Sequence, residues 1–297
     1  MLVKNRGLII TLILVLSVLA IVILGFLIFL LTRGRHFGYF NFGNSISKEL
    51  VLEESYESNF EQIFVDTSSA EVEIKTSTDD QIKVLLYGDK DRVNVHTQDG
   101  KLKVTVKGKK CFGFCLNQKV DKVELYVPET FAKEIEINNN YGDISVGSFP
   151  QANIIVEEDC GDVFIQSGNE VKVNNNFGDI EIEEVNVAHV KESAGDVTIG
   201  SVQDATIHNS YGDIKVKEVL NFMDIKQDCG DVKVEKALLN KNSKIENHLG
   251  DIKIGETNEI YIEAKTSLGD TKINQNYHKA DITLKISNSC GSIKVDN

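Results

Sequence analysis

The sequence predicts an all-β protein: a repetitive β-solenoid (β-helix-like) ectodomain preceded by a single transmembrane helix. A Gly-Asp pair, replaced by Gly-Ser in the last copy, returns every 17 to 22 residues through the second half of the chain. Apolar and polar residues alternate around each pair, and 24 residues without charge, Leu8 to Leu31, precede the repeats. Repetition at a short period is the sequence sign of stacked units, and alternation with period two is typical of a strand with one buried face.

The Gly-Asp repeat defines units that are too small to fold alone. Eight copies begin at Gly142, Gly161, Gly178, Gly195, Gly212, Gly230, Gly250 and Gly269, and a ninth reads Gly291-Ser292. Each unit offers two short strands that meet at a Gly-Asp corner, so its apolar face needs a neighbouring unit about 4.8 Å away. One unit per coil is the preferred interpretation, and a coil of two units with two corners is the alternative.

Alternation also assigns the core residues of each unit. Apolar side chains lie two and four residues after the Gly, as at Ile214 and Val216, and five and seven residues before it, as at Ile135 and Ile137. The same parity predicts that the residue directly before each Gly faces inward. Large and small residues alternate at that position: Tyr141, Cys160, Phe177, Ala194, Tyr211, Cys229 and Leu249. Such alternation suits a packed column in which a ring lies over a small neighbour.

Earlier in the chain the repeat is degenerate. Ala70-Glu71 stands where later copies have Gly-Asp, which predicts that the stack begins soon after residue 50. Residues 80–130 depart from the repeat, and Gln98-Asp99-Gly100 between two apolar runs predicts a β-hairpin. Regular copies then occupy residues 131–297.

The apolar run divides the chain into parts. As a helix, Leu8 to Leu31 would be about 36 Å long, enough to cross a bilayer, and a cleaved signal peptide usually has a shorter apolar core. The predicted order is a cytoplasmic tail (1–7), a transmembrane helix (8–31), a juxtamembrane linker (32–49) and the β-strand repeat domain (50–297). Positive residues on both sides of the helix leave its orientation open. A short tail before one long domain predicts a single-pass protein of the cell membrane with its C-terminal domain outside the cytoplasm.

The charge of the chain limits its partners. The formal net charge is −13, and all 45 acidic residues follow the apolar run. A strongly acidic domain argues against nucleic acid or anionic lipid as the main partner. The predicted partners are the membrane, through the anchor, and an envelope polymer or protein.

One column of carboxylates is the sharpest chemical feature of the repeats. It consists of Asp143, Asp162, Asp179, Asp196, Asp213, Asp231, Asp251 and Asp270. The favoured interpretation is turn chemistry, in which each Asp hydrogen-bonds amides at the corner; lysines two residues on, at Lys215, Lys233, Lys253 and Lys272, would offset the repulsion. The alternative is a Ca²⁺ site, because carboxylate oxygens are the ligands that calcium prefers. No other cofactor is predicted.

The cysteines fall into two groups. Cys111 and Cys115 are separated by three residues in a locally basic segment, so a disulfide between them is an open prediction. The favoured interpretation of this tip is a packed hairpin end, and the alternative is a contact point for an anionic polymer or membrane. Cys160, Cys229 and Cys290 are predicted to be small buried residues in the inward column, separated by roughly 14 Å or more.

Catalysis finds little support in the residues. The six histidines occupy unrelated positions of the repeat, and no nucleophile elbow, phosphate loop or His-Glu-x-x-His motif is present. The sequence therefore predicts a protein that is not an enzyme.

Several segments together resemble a known family. Residues 68–74 read Ser-Ser-Ala-Glu-Val-Glu-Ile, residues 125–129 read Leu-Tyr-Val-Pro-Glu, and Gly-Asp-Ile-x-Val copies follow to the end. This combination resembles the "putative adhesin" β-strand repeat family of bacterial envelope proteins, a domain of unknown function, over about residues 50–297. The resemblance implies an envelope protein of a family without an established biochemical activity. LiaG-like members of that family carry an amino-terminal membrane segment and are associated with envelope stress systems. The Cys111 to Cys115 loop lies outside the family pattern.

Two functions follow from these observations. The first is a membrane-anchored extracellular β-solenoid that serves as a non-enzymatic binding or scaffold module of the bacterial cell envelope. The alternative is a regulatory or sensory component of an envelope stress response that acts through a membrane partner.

Overall fold

The structure is a computed structural model, and it describes residue 47 and residues 49–108 and 121–296. Residues 45–297 form one compact unit. The described residues contain 21 strands and no helix. The predicted tail (1–7), transmembrane helix (8–31), most of the linker and the Cys111–Cys115 loop lie outside the described residues.

Eight strands precede the first Gly-Asp corner. They are β1 (Leu50–Glu57), β2 (Gln62–Thr67), β3 (Ala70–Ser77), β4 (Gln81–Tyr87), β5 (Val93–Gln98), β6 (Lys101–Val106), β7 (Asp121–Pro128) and β8 (Glu134–Tyr141). Thirteen follow it: β9 (Ile144–Phe149), β10 (Asn153–Cys160), β11 (Val163–Phe177), β12 (Ile180–Ala194), β13 (Val197–Tyr211), β14 (Ile214–Cys229), β15 (Val232–Ala237), β16 (Ser243–Leu249), β17 (Ile252–Thr257), β18 (Tyr261–Leu268), β19 (Thr271–Ile273), β20 (Thr283–Cys290) and β21 (Ile293–Val295).

Each Gly-Asp unit forms one coil of a parallel β-solenoid. In the central part, β11 to β14 each run from one corner to the next and pair in parallel. Their register joins residues 17 apart, as in Val163 to Ile180 and Ile180 to Val197. The preferred prediction of one unit per coil is therefore confirmed, and the alternative of two units per coil is wrong.

The apolar columns assigned from alternation form a continuous core. Ile214 and Val216, after a corner, and Ile135 and Ile137, before one, are buried like their equivalents in the other coils. A third column, seven residues after the Gly, is also buried and contains Phe149, Val185, Val202 and Val219. Burial of each such side chain contributes roughly 1.5 to 3 kcal/mol before chain entropy is set against it.

The corner itself requires glycine. Gly212 has φ of +127°, and a Cβ there would lie 2.1 Å from the carbonyl oxygen of Gly195 in the preceding coil. An L side chain is strained at such a φ and has no space at that distance. The repeated Gly is therefore needed both for the bend and for the close approach of successive coils.

The early, degenerate coil is present as predicted. Strand β2 precedes Ala70-Glu71 and β3 begins with this pair, and the two strands pair in parallel with β8 and β9. The predicted hairpin is also confirmed: β5 and β6 are antiparallel and joined by Asp99 and Gly100, both with positive φ. Strand β4 lies between β1 and β7 and is antiparallel to both, so the sheet begins on this side with β1.

The last two coils are not stacked in sequence order. Strand β20 pairs with β16 on one side and β18 on the other, and β21 lies likewise between β17 and β19. The ninth copy, at Gly291, therefore lies between the coils of Gly250 and Gly269. The coil that ends the stack is β18 and β19, with exposed Thr271 at a position where other copies have buried Ile or Val.

Candidate functional site

A ladder of polar side chains lies buried beneath the corners. The residue three before the Gly is buried at eight of the nine corners, and we call this set the amide ladder: Asn139, Glu158, Asn175, Glu192, Asn209, Gln227, Asn247 and Asn288. The amides donate to the corner carbonyls, as Asn209 Nδ2 does to Gly195 O at 3.0 Å and Asn247 Nδ2 to Gly230 O at 3.0 Å. Sequence reasoning missed this ladder, although Asn, Gln or Glu three residues before nearly every Gly was a visible signal.

Two members of the amide ladder are acids. Burial raises the pKa of Glu158 and of Glu192 to about 7 each, despite hydrogen bonds from backbone amides. Glu192 accepts such bonds from the N–H groups of Ser193 and Ala194 at 3.0 and 2.8 Å, through the same oxygen. Its other oxygen is buried without a hydrogen-bond partner among the described residues. The neutral acid therefore fits this position better than the carboxylate does.

The predicted Asp column forms a second, exposed ladder, which we call the aspartate ladder. In Asp162, Asp179, Asp196, Asp213, Asp231 and Asp251 the backbone N–H donates to Oδ1 of the preceding Asp, at 2.8 to 3.1 Å. Because the coil order changes, Asp251 Oδ1 accepts from Ser292 N, and Asp270 N donates to Ser292 Oγ. One oxygen of each carboxylate from Asp143 to Asp251 is therefore engaged in linking coils.

These contacts give the aspartates a structural task. In the described residues, no group of three or more His, Cys, Asp or Glu side chains is arranged to hold a metal ion. The lysines two residues after the Asp form an exposed column of their own, which runs Lys215, Lys233, Lys253, Lys294 and Lys272. Calcium binding by the aspartates stays a prediction.

The residues directly before the Gly do not face inward, and that prediction is wrong. Tyr141, Phe177, Tyr211, Leu249 and Leu268 are between 51% and 70% exposed. The chain bends at the corner, so the alternation of the preceding strand ends one residue after the amide ladder. We call the resulting surface the apolar ridge; in spatial order it runs Tyr141, Cys160, Phe177, Ala194, Tyr211, Cys229, Leu249, Cys290 and Leu268.

The cysteines of the apolar ridge also need correction. Cys160 is exposed, and Cys229 and Cys290 are partly exposed, all as free thiols. Only Leu249 separates Cys229 from Cys290, because the last coils are out of sequence order. Two strand spacings, roughly 10 Å, lie between them rather than the predicted 14 Å. That distance still exceeds the reach of a disulfide.

A column of short polar side chains borders the apolar ridge on the side away from the aspartates. It lies two residues before each Gly and contains Asn140, Asp159, Asn176, Ser193, Ser210, Asp228, His248, Ser289 and Ser267. Asn176 Nδ2 donates to Asp159 Oδ1 at 2.9 Å, and His248 Nδ1 lies 3.1 Å from Asp228 Oδ1. The corner thus presents a line of apolar groups between two lines of hydrogen-bonding groups.

Two shallow depressions lie on the described surface of the protein. A depression of about 540 Å³ lies beside β4 and is lined by Ser55, Ser77, Asp79, Asp80, Gln81, Lys83, Leu85 and Tyr126. Its lining contains neither His nor Cys, so it has no serine–histidine or cysteine–histidine pair. A second depression, of about 360 Å³, borders the polar column at His248, Ser267 and Ser289.

The chain matches a known family model along most of its length. The model described as Toastrack DUF4097 matches residues 60–235 and 189–297. No protein of curated function matches the chain.

Solved structures of similar chains come from several bacteria. One, described as a "putative lipid binding protein" from Parabacteroides distasonis, is 15% identical with a TM-score of 0.48, covering 84% of this chain and 99% of that one. A "putative adhesin" from the same species is 13% identical with a TM-score of 0.45, covering 84% and 98%. A "putative adhesin" from Bacteroides fragilis is 17% identical with a TM-score of 0.40, covering 84% and 99%.

Proposed function

The chain belongs to the Toastrack DUF4097 family, and we propose that within it this protein is a non-enzymatic binding module of the bacterial cell envelope. The apolar ridge is the observation that carries this proposal. Five of the six large hydrophobic side chains that are exposed in the described residues lie in this one column. Exposed apolar groups gathered on one surface mark an interaction site, whereas scattered ones need no explanation.

The rigidity of the corner supports a binding role. Each ridge residue precedes a glycine that is packed against the carbonyl of a neighbouring coil, and all of them except Leu268 follow a side chain of the amide ladder. Ridge side chains are therefore held in register along the stack without loops that would have to order on binding. Such preorganisation lowers the entropy cost of association.

The remaining parts of the proposal concern the location of the protein and its chemistry. We place the solenoid outside the cytoplasm, held by a membrane anchor at Leu8 to Leu31, because that run is long enough to cross a bilayer. A membrane-spanning helix is not found in the part of the chain that the structure describes. A role without catalysis is supported by the shallow concave sites and by the lack of a recognisable catalytic motif.

A co-sedimentation experiment tests the proposed function. Full-length protein, purified in detergent, is mixed with insoluble envelope material from a bacterium, and the bound fraction is measured. We expect the wild type to sediment with the envelope and the triple variant Tyr141→Ser, Phe177→Ser, Tyr211→Ser to stay in solution. Leu50→Ser is the matched control, because Leu50 is exposed but lies outside the ridge.

Two results would contradict the proposal. One is no binding of the wild type to any envelope fraction. The other is equal binding by the wild type and the ridge variant when both show the same thermal unfolding midpoint. Loss of binding in the Leu50→Ser control would also remove the assignment to the ridge.

A further inference from the structure

The ligand class can be argued from the spacing and charge of the corner surface. We propose that the aromatic half of the apolar ridge, Tyr141 to Tyr211, binds an extended, uncharged polysaccharide that lies along the axis of the solenoid. This inference rests on the proposed function. Tyr141, Phe177 and Tyr211 are each 60% or more exposed. The C–H groups of a sugar ring can pack against the faces of such exposed aromatic rings.

The period of the rings is the first argument. Tyr141, Phe177 and Tyr211 lie in alternate coils, with Cys160 and Ala194 between them. Two strand spacings separate successive rings by roughly 10 Å. In an extended β-linked polysaccharide each sugar advances by about one strand spacing and successive rings are flipped. The same face of a sugar ring therefore returns once per disaccharide. This repeat matches the spacing of the aromatic residues along the ridge.

The small residues between the rings complete the match. Cys160 and Ala194 leave space between neighbouring rings, so the flipped sugar can approach the ridge without a clash. A continuous row of rings at one per coil would instead suit successive stacked planar groups, such as bases. The alternation therefore favours a ligand whose own period is two units.

The columns on both sides supply hydrogen bonds for sugar hydroxyls. Asn140, Asn176 and Ser193 border the rings on one side. The aspartates border the rings on the other side. In Asp179 and Asp196, for example, Oδ1 accepts a backbone amide, and the second carboxylate oxygen can accept a hydrogen bond from a sugar hydroxyl. Rings flanked by short donors and acceptors can bind the apolar faces and the hydroxyl edges of one sugar chain together.

Charge decides between neutral and anionic ligands. Along the aromatic half, the aspartate ladder contributes Asp143, Asp162, Asp179, Asp196 and Asp213. The lysine column lies two residues after the aspartates. In these coils, from Ser145 to Thr198, that column contains no lysine. A polyanion, including single-stranded nucleic acid, would be repelled along this whole edge. An uncharged chain has no such cost.

The test separates polysaccharide from protein in the same envelope material. Insoluble envelope is digested either with protease or with glycoside hydrolases that solubilise its polysaccharide, and binding of full-length protein is measured as above. We expect binding to survive the protease and to be lost after the glycoside hydrolases. Loss after protease only, or binding that survives both digestions, would overturn the polysaccharide proposal while leaving the envelope-binding function intact.

Ring variants and a defined ligand complete the test. Phe177→Ser should weaken binding about tenfold, as expected for one lost aromatic contact, and Phe177→Tyr should restore it because Tyr141 and Tyr211 already serve in that position. Oligosaccharides of β-1,4-linked N-acetylglucosamine should bind with affinity that rises for each added disaccharide. Equal binding by the Ser and Tyr variants to intact envelope would overturn the assignment to ring stacking.

Discussion

Glu192 shows how the solenoid adapts to a buried acid. It occupies the place of an amide in the amide ladder, with Asn209 next to it in register. The Oδ1 of Asn209 and the Oε2 of Glu192 are both buried acceptors without a partner in the described residues. A proton on Glu192 removes the negative charge that burial makes costly at this position. Gln227, at the equivalent position two coils on, has the same shape with a permanent donor.

The protonation of Glu192 predicts a pH dependence of stability. Its pKa is about 7 in the folded protein against an ordinary value of 4.5, so the folded chain holds a proton that the unfolded chain releases between these values. The contribution to the free energy of unfolding is therefore complete below pH 4.5 and is lost as the pH rises through 7. Glu192→Gln should raise the thermal midpoint relative to the wild type at pH 8 and change it little at pH 5.

A matched control makes this pH test specific. Glu184 is an exposed acid on the same strand, β12. The midpoint difference between Glu184→Gln and the wild type should stay constant across the same pH range. A Glu192→Gln effect that is equally large at pH 5 and pH 8 would contradict the interpretation that Glu192 is protonated in the folded protein.

At the scale of the repeated element, the aspartate ladder predicts different results for two substitutions. Asp213 Oδ1 accepts from Asp231 N at 2.9 Å. Asp213→Asn keeps an acceptor there and removes a like charge, so its stability should equal or exceed that of the wild type. Asp213→Ala removes the acceptor and should lower the free energy of unfolding by about 1 kcal/mol. Denaturant unfolding at neutral pH measures both.

Thermal unfolding with and without calcium distinguishes hydrogen bonding from metal binding as the role of the aspartates. Hydrogen bonding alone predicts no change of thermal midpoint in millimolar calcium. A rise that is present in the wild type and absent from the triple variant Asp196→Asn, Asp213→Asn, Asp231→Asn would show that the ladder binds metal. That outcome would replace the structural explanation.

The repeated unit also shows which features could be predicted from the sequence and which could not. The period of the Gly-Asp repeat predicted the coil length. Period-two alternation identified the inward columns, because burial of Ile214, Val216 and their equivalents dominates the energy of stacking. It failed at the corner, where alternation assigns Tyr211 to the inward side although Tyr211 is exposed, and where hydrophobicity gives no reason for the buried Asn209. Corner carbonyls need buried donors, and the bend ends the alternation of the strand. Polar and apolar residues therefore exchange sides there, and a rule based on hydrophobicity alone assigns both wrongly.

At the scale of the whole solenoid, coil order was also beyond the sequence. All copies share one pattern, so nothing in the repeat says that β20 inserts between β16 and β18 rather than after β18. The physical reason for this order is the free energy that apolar residues would cost if they were exposed at the open end of the stack. The terminal coil carries exposed Thr271 and Lys272, whereas Ile293 and Val295 of the ninth copy are buried. A capping coil needs a polar outer face, and the insertion places the more apolar copy inside.

Coil order can be tested with engineered thiols. Leu249 and Cys290 are direct neighbours in the observed register, whereas stacking in sequence order would place Leu268 between them. In a Cys229→Ala background, which removes the other neighbouring thiol, Leu249→Cys should form a disulfide with Cys290 on mild oxidation. Adjacent strands bring the Cα atoms within the range that a disulfide spans. Peptide mapping by mass spectrometry identifies the link.

Two controls in the same background fix the interpretation. Leu268→Cys should also link to Cys290, since these residues are neighbours in either order, and it shows that the oxidation works. Tyr211→Cys should not link, because it lies three coils from Cys290. A link at Leu268→Cys without one at Leu249→Cys would place the last coils in sequence order. The polar coil of Thr271 would then lie inside the stack, and the ninth copy would form its open end.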